Sequence, residues 1–241
     1  MAGIAKYPVL NPFGAFIDAP DSVYGSGADG SYTLDGTTTV LSMAPSSSVY
    51  TMTRDLYFYD LTIDASVRLN PAGYRIFVKN ILTLSNASTI GFTTGFATAG
   101  SIQQGGATSV GVGTSVTNSL GGSAASTYTA TAPTASQGGT QYWSQPRQAV
   151  LGYSVTATSG ITFLRGGAGG SSEAGGGVVI LAARYMSCTA TTTNAKIAAP
   201  ATSPGGGGVV IVVSSASAIP ANVSTDVTGA NSGTSIYMQL V

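Results

Sequence analysis

The hexapeptide Gly-Gly-Gly-Val-Val-Ile occurs twice in this chain, at residues 175–180 and again at 206–211. Glycine-rich segments cradle phosphate when they open a helix, but here they lead into β-branched residues. Neither copy carries the Lys and Ser/Thr of a phosphate-binding loop or the spacing of a dinucleotide fingerprint. The alternative is steric. Glycine lets two backbones approach closely or adopt conformations closed to other residues, so Gly175, Gly176, Gly177, Gly206, Gly207 and Gly208 are expected to pack tightly beside a buried strand or a symmetry-related chain. The runs that follow, residues 178–183 and 209–213, are continuously apolar, the pattern of strands buried on both faces. Repetition of the whole motif predicts two equivalent structural units.

Pattern divides the chain into four zones. Residues 1–19 set Tyr7, Val9, Leu10, Phe13 and Phe16 among prolines and glycine with no helical or strand period, and are expected to form an arm that docks on a partner. Residues 20–94 form a β-strand module. In LYFYDLTIDASVRLNPAGYRIFVKN, apolar residues alternate as Leu61 and Ile63, Val67 and Leu69, then Tyr74, Ile76 and Val78, with Arg75 and Lys79 on the opposite face. Asn70, Pro71, Ala72 and Gly73 between them have turn chemistry. Residues 95–148 are a low-complexity tract of Gly, Ser, Thr, Ala and Gln that could not fold in isolation and is expected to be held by the body of the chain or by adjacent copies. Residues 149–241 form a glycine-rich β module around the repeated hexapeptide. Short strands at tight spacing, with no amphipathic helix between them, predict an all-β fold: a β-sandwich or a short β-solenoid with glycine-rich loops and a long polar insertion.

Composition restricts the partners. Only 7% of the 241 residues are charged, against about 25% in an ordinary soluble domain, and nine basic residues balance nine acidic ones. That balance removes the electrostatic footprint of a nucleic-acid or anionic-membrane binder, so no nucleic-acid partner and no membrane insertion are expected. A surface so poor in charge tends to self-associate, which makes a homo-oligomer the first expectation. The longest apolar run falls far short of the ~20 residues that span a bilayer. Prolines interrupt the amino-terminal stretch, so no secretory leader is read. The one cysteine, Cys188, is expected to be a buried structural thiol.

Chemistry-bearing residues are few. There is no histidine, which removes the usual catalytic triads, the usual general base and the commonest zinc ligand. Seven of the nine carboxylates lie between Asp18 and Asp64, and glycoside cleavage would need two of them to face each other. Regular alternation would put Asp55 and Asp60 on opposite sides of a strand, and would leave Asp60 and Asp64 on one side but roughly 13 Å apart along it. Asp21, Asp29 and Asp35 are better read as caps of glycine-containing turns. No catalytic residue, cofactor site or metal site is therefore assigned. The segment YWSQPRQ places Tyr142, the only tryptophan Trp143, and Arg147 together in otherwise featureless sequence. These residue types are enriched at binding hot spots, and they make Tyr142, Trp143 and Arg147 the candidate surface contact, although pinning the polar tract onto the core is the plainer role for Trp143.

The run from Asp29 to Gly91 carries Asp35-Gly36, then Arg54-Asp55-Leu56-Tyr57, Leu61-Thr62-Ile63 and Gly73-Tyr74-Arg75-Ile76, and both hexapeptides follow at the end of glycine-rich segments. This pattern resembles glycine-rich virion proteins of tailed bacteriophages, of the minor tail protein and tail-fibre type. It departs from them after Ile90, where a Ser/Thr/Ala tract replaces turns rich in asparagine and glycine. The resemblance implies a non-enzymatic structural protein of the virion, made in the host cytoplasm and serving as a minor tail, fibre or spike subunit in assembly and host attachment. It further implies a homotrimer whose other partners are virion structural proteins and a host cell-surface glycan. A capsid decoration or head-fibre protein is the nearest alternative, and a carbohydrate-degrading tail spike the more distant one.

Overall fold

The computed structural model describes residues 23–72, 74–91, 140–141, 164–165, 176–202 and 205–240. Six strands form one sheet in the order β1 (Gly30–Leu34), β3 (Leu56–Ile63), β5 (Arg75–Leu84), β9 (Val178–Cys188), β11 (Val209–Ser214) and β13 (Thr234–Gln239). Five form a second sheet in the order β12 (Val223–Asp226), β10 (Ala195–Ala198), β6 (Thr89–Gly91), β4 (Arg68–Asn70) and β2 (Val49–Thr51). A short antiparallel pair, β7 (Thr140–Gln141) and β8 (Leu164–Arg165), stands apart from both.

All nine ladders within the two large sheets are parallel. Parallel neighbours need a crossover connection, which in most folds is a helix. Here the crossover is a strand of the other sheet: from β1 to β6, and again from β9 to β13, the chain changes sheet at every step. The all-β expectation is met, and the segments before and after the insertion share both sheets, because β5 pairs with β9 and β6 with β10.

Side chains between the sheets form rows that run from strand to strand. Leu56, Ile76, Leu181, Val212 and Tyr237 are register partners in the first sheet, and they face the row of Tyr50, Leu69, Ile90 and Ile197 in the second. Leu61, Ile63, Val67, Leu69, Ile76 and Val78, read as inward from their alternation, are all buried. Tyr74 is the exception at 38% exposed, because it sits beyond the start of β5 in a turn, where its amide donates to the Pro71 carbonyl (2.9 Å). Cys188 is half-buried against this core, with its thiol 3.8 Å from the Asn222 carbonyl, so it is less enclosed than the sequence suggested.

The two hexapeptides lie side by side. Val178 pairs with Val209, Val179 with Val210 and Ile180 with Ile211, so the repeated units are successive strands of one sheet in exact sequence register. Every residue from Val178 to Ala183 and from Val209 to Val213 is buried. Val179, Leu181, Val210 and Val212 face the other sheet, whereas Val178, Ile180, Ala182, Val209, Ile211 and Val213 form a second cluster on the outward face with Phe77, Val23 and Tyr24.

The ladder continues around the bends. Backbone amides of Asp64, Ser85 and Thr189 donate to the carbonyls of Leu34, Ile63 and Leu84 one strand over (2.9–3.0 Å). Two successive bends, at residues 64–67 and 85–88, close with the same hydrogen bond, Val67 N to Asp64 O and Ser88 N to Ser85 O (each 3.1 Å). Each has a positive φ at its third residue, Ser66 (62°) and Ala87 (55°), the signature of a type II turn. Asn194 then joins the next bend to this one, its side chain bonding Asn86 and accepting from the Ala87 amide (3.1 Å).

Candidate functional site

Close backbone contact concentrates where the glycine-rich segments meet. A Cβ placed on Gly208 would lie 2.6 Å from the Gly176 carbonyl carbon and closer still to the Gly177 oxygen. One on Gly207 would lie 2.7 Å from the Val227 carbonyl carbon, and one on Gly176 would meet Gly208 Cα at 3.0 Å and the Ala199 oxygen more closely. Hydrogen bonds stitch the same segments together: Gly176 N to Gly206 O (2.8 Å), Val209 N to Gly177 O (2.9 Å) and Thr234 N to Gly208 O (3.0 Å). Glycine is needed at these points for want of space, since a β-carbon would occupy the volume of the neighbouring peptide. Gly175 lies outside the described residues. Gly229 and Gly233 complete the contact from the following segment, and being scattered through TGANSGTS they carried no comparable signal in the sequence.

Most of the carboxylates among the described residues are bound into the frame. Arg54 reaches Asp29 with two hydrogen bonds (2.6 and 3.0 Å) and the Tyr57 amide adds a third (2.7 Å), and the Arg54 bond above all holds Asp29 below the ordinary carboxylate range. Asp29 thus ties β1 to β3 and is not the local turn cap expected. Asp35 does cap its turn. Its Oδ1 accepts from the amides of Thr37 and Thr38 (each 2.7 Å) and its Oδ2 from the Thr38 hydroxyl (2.7 Å), and those Thr38 bonds lower its pKa well below the ordinary range. Gly36 supplies the positive φ (83°) that this turn requires. Asp55 accepts from the Arg75 amide and Nε (each 2.8 Å), with the guanidinium 5.5 Å from the Phe77 ring centroid. Burial raises Asp226, but hydrogen bonds from Thr228 and the nearby Lys196 outweigh it and bring the group down. Asp21 lies outside the described residues.

The alternation assumed for Asp55 and Asp60 fails at a bulge. Phe58 and Leu61 both point inward, so Tyr59 and Asp60 are consecutive outward residues, and Asp60 comes to the same outward face as the Asp55–Arg75 pair. The irregularity extends across three neighbouring strands. In β9, Arg184 and Tyr185 likewise separate inward Ala183 from inward Met186, and between the two strands β5 takes three residues (Lys79, Asn80, Ile81) from Val78 to Leu82, one more than either neighbour, so the register shifts on both sides. Asp60 anchors the row: its Oδ1 accepts from Asn80 Nδ2 (2.8 Å) and the Ile81 amide (3.3 Å), and its Oδ2 from the Ser31 hydroxyl (3.1 Å). Beside it Tyr59 and Tyr185 are 46% and 47% exposed, in contrast to the covered apolar face of β9 and β11.

Tyr142, Trp143 and Arg147, and the arm residues Tyr7, Val9, Leu10, Phe13 and Phe16, lie outside the described residues. Among the described residues, no three His, Cys, Asp or Glu side chains are grouped as a metal ion would require, and no helix is long and apolar enough to cross a membrane. Comparison with known proteins gives no match to a protein-family model, a curated protein or a solved structure.

Proposed function

We propose that this chain is a non-enzymatic structural subunit of a tailed-bacteriophage virion, a minor tail, fibre or spike component that assembles as a homotrimer, joins other virion proteins and contacts the host surface. In this reading the two alternating sheets are the walls of a short β-solenoid, each pair of consecutive strands being one coil. The observation that carries it is the register of the two hexapeptides: sequence repeats that stack as adjacent coils, backbone against backbone, make a stiff rod from a charge-poor chain, as a fibrous virion part requires. The use of Asp29, Asp35, Asp55 and Asp226 as clamps and caps agrees with a building role.

The deciding experiment is location. Antibody against the purified chain, applied as immunogold to intact phage, should label the tail or its tip, and mass spectrometry of tail-only particles should recover the chain. Label confined to the head would replace this reading with the capsid-decoration alternative. Absence from purified particles would refute a virion role altogether.

A further inference from the structure

We infer that the row of aligned bulges on β3, β5 and β9 is a carbohydrate-binding platform, with Tyr59 and Tyr185 as stacking surfaces and the Asp60–Asn80 pair as the polar centre. The inference deepens the host-attachment part of the proposed function and rests on it for its biological meaning, although the binding itself can be measured apart from any virion.

A regular strand presents every second side chain outward. At this level Tyr59 and Asp60 are consecutive outward residues of β3 and Arg184 and Tyr185 of β9, and between them Lys79 and Ile81 of β5 flank Asn80, whose amide reaches Asp60. The bulges therefore crowd seven side chains into a strip three strands wide. Bulges commonly re-aim side chains at functional sites. Before the bulge on β9, and along β11, the outward residues Val178, Ile180, Ala182, Val209, Ile211 and Val213 are apolar and buried, so the open strip differs from that neighbouring face in both chemistry and access.

The chemistry selects the ligand class. Ile81 and Tyr185 are register partners, and Tyr59 stands two strands from Tyr185, a separation of about 9–10 Å that suits the first and third rings of a linear pyranose chain. Tyrosine rings offer apolar faces for the C–H side of a sugar and hydroxyls at their tips. Between them the Asp60 carboxylate and Asn80 amide are fixed by each other and by the Ile81 amide, which orients their free lone pairs and remaining N–H for sugar hydroxyls without further ordering. A protein partner would have to bury the Asp60 charge at the centre of its interface, where charged residues are depleted. Nucleic acid calls for a basic strip, and here Asp60 stands among the cations Lys79 and Arg184. One side of the strip is walled by the segment before β1, with Gly27 packed on Tyr59 and Lys79 and the Lys79 ammonium 3.4 Å from the Ser26 carbonyl.

The test is a broad array of bacterial and eukaryotic glycans probed with the full-length chain, followed by titration of the best-bound glycan. Tyr59→Ala and Tyr185→Ala should each weaken binding about tenfold, the loss of one stacking contact, while Tyr74→Ala, an exposed tyrosine in the turn before β5, should leave it unchanged. Circular dichroism confirms that each variant is folded; should either tyrosine variant unfold, Asp60→Asn, which keeps the shape and removes the charge, must weaken binding instead. Absence of binding across the array overturns the proposal, as does binding indifferent to Tyr59 and Tyr185. A change in oligomeric state in those variants with no change in glycan binding overturns it in favour of a contact between copies. Failure here leaves the virion localisation result untouched, and failure of localisation leaves this binding measurable.

Discussion

Gly208→Ala isolates what the glycine-rich contact is for. No positive φ is required at this position, so alanine meets no backbone penalty and gains about 0.4–1 kcal/mol by restricting the unfolded chain. Against that, the new methyl carbon would sit 2.6 Å from the Gly176 carbonyl carbon. Ordinary contact begins near 3.4 Å, so the two segments must part by about 0.8 Å or more, and forced overpacking of this kind costs about 1–3 kcal/mol. Separation also stretches the neighbouring Val209–Gly177 (2.9 Å) and Gly176–Gly206 (2.8 Å) hydrogen bonds toward the limit of useful geometry, a loss of about 0.5–1.5 kcal/mol each. The terms combine to a destabilisation of about 3 kcal/mol. Gly30→Ala is the matched control: its φ is +89° and its nearest neighbour atom would be 3.8 Å away, so it suffers conformational strain without crowding and should cost about 1 kcal/mol. Guanidinium denaturation followed by circular dichroism, with slopes compared to confirm an unchanged transition, measures both. Equal losses at the two positions, or a stabilised Gly208→Ala, would refute close approach as the reason for the glycines.

Two further perturbations follow from the geometry. Because the Arg54 bond lowers Asp29 in the folded state, this group adds stability that is present above its unfolded pKa, near 3.9, and is lost as pH falls through the lower folded value; Asp29→Asn should therefore be less stable than the parent at pH 7, with the gap narrowing below about pH 4, and a gap independent of pH would argue against the ion pair. Ile211→Ala should cost about 2–4 kcal/mol although its side chain points away from the inter-sheet core, because that outward face is buried; a loss below about 0.5 kcal/mol, the behaviour of an exposed position, would show that the face is open in solution.

The sequence made some of this legible through chemistry that acts locally. Five or six β-branched and apolar residues in a row after glycine can hardly be other than a strand covered on both sides, and β9 and β11 are that. Leu61, Ile63, Ile76 and Val78 were found by alternation. The bulges were not, because Tyr59 and Asp60 read as one inward and one outward residue until the partner strand fixes the register, and the placing of Asp55 and Asp60 on opposite faces failed with them. The second sheet was nearly invisible: VYT, RLN and TIG, the strands β2, β4 and β6, are too short to show a period and are strands only because their neighbours in the sheet supply partners. Least legible of all was the β5–β9 ladder, in which Thr83 meets Ser187 across 104 residues. Local propensity carries no information about a pairing at that range.

That ladder also explains how the two sheets survive their interruption. The last residue before the insertion, Gly91, and the first described residue after it, Gly176, pack against the carbonyls of Ala198 and Ala199, two consecutive residues. The two ends of the insertion therefore lie close together, and the chain leaves and re-enters the sheets at almost one point. Loop-closure entropy grows only with the logarithm of length, so replacing a bend of roughly ten residues with the stretch 92–175 costs about 2 kcal/mol. This is small beside the burial that β9, β10 and β11 regain on pairing. Joining Gly91 to Gly176 through a short Gly/Ser linker should accordingly preserve the β-sheet spectrum and a cooperative unfolding transition. Loss of that transition would mean that residues 92–175 supply part of the cover over Ile180, Ile211 and Val213, and dye binding to newly exposed apolar surface in the shortened chain would identify the outward face as the place they leave bare.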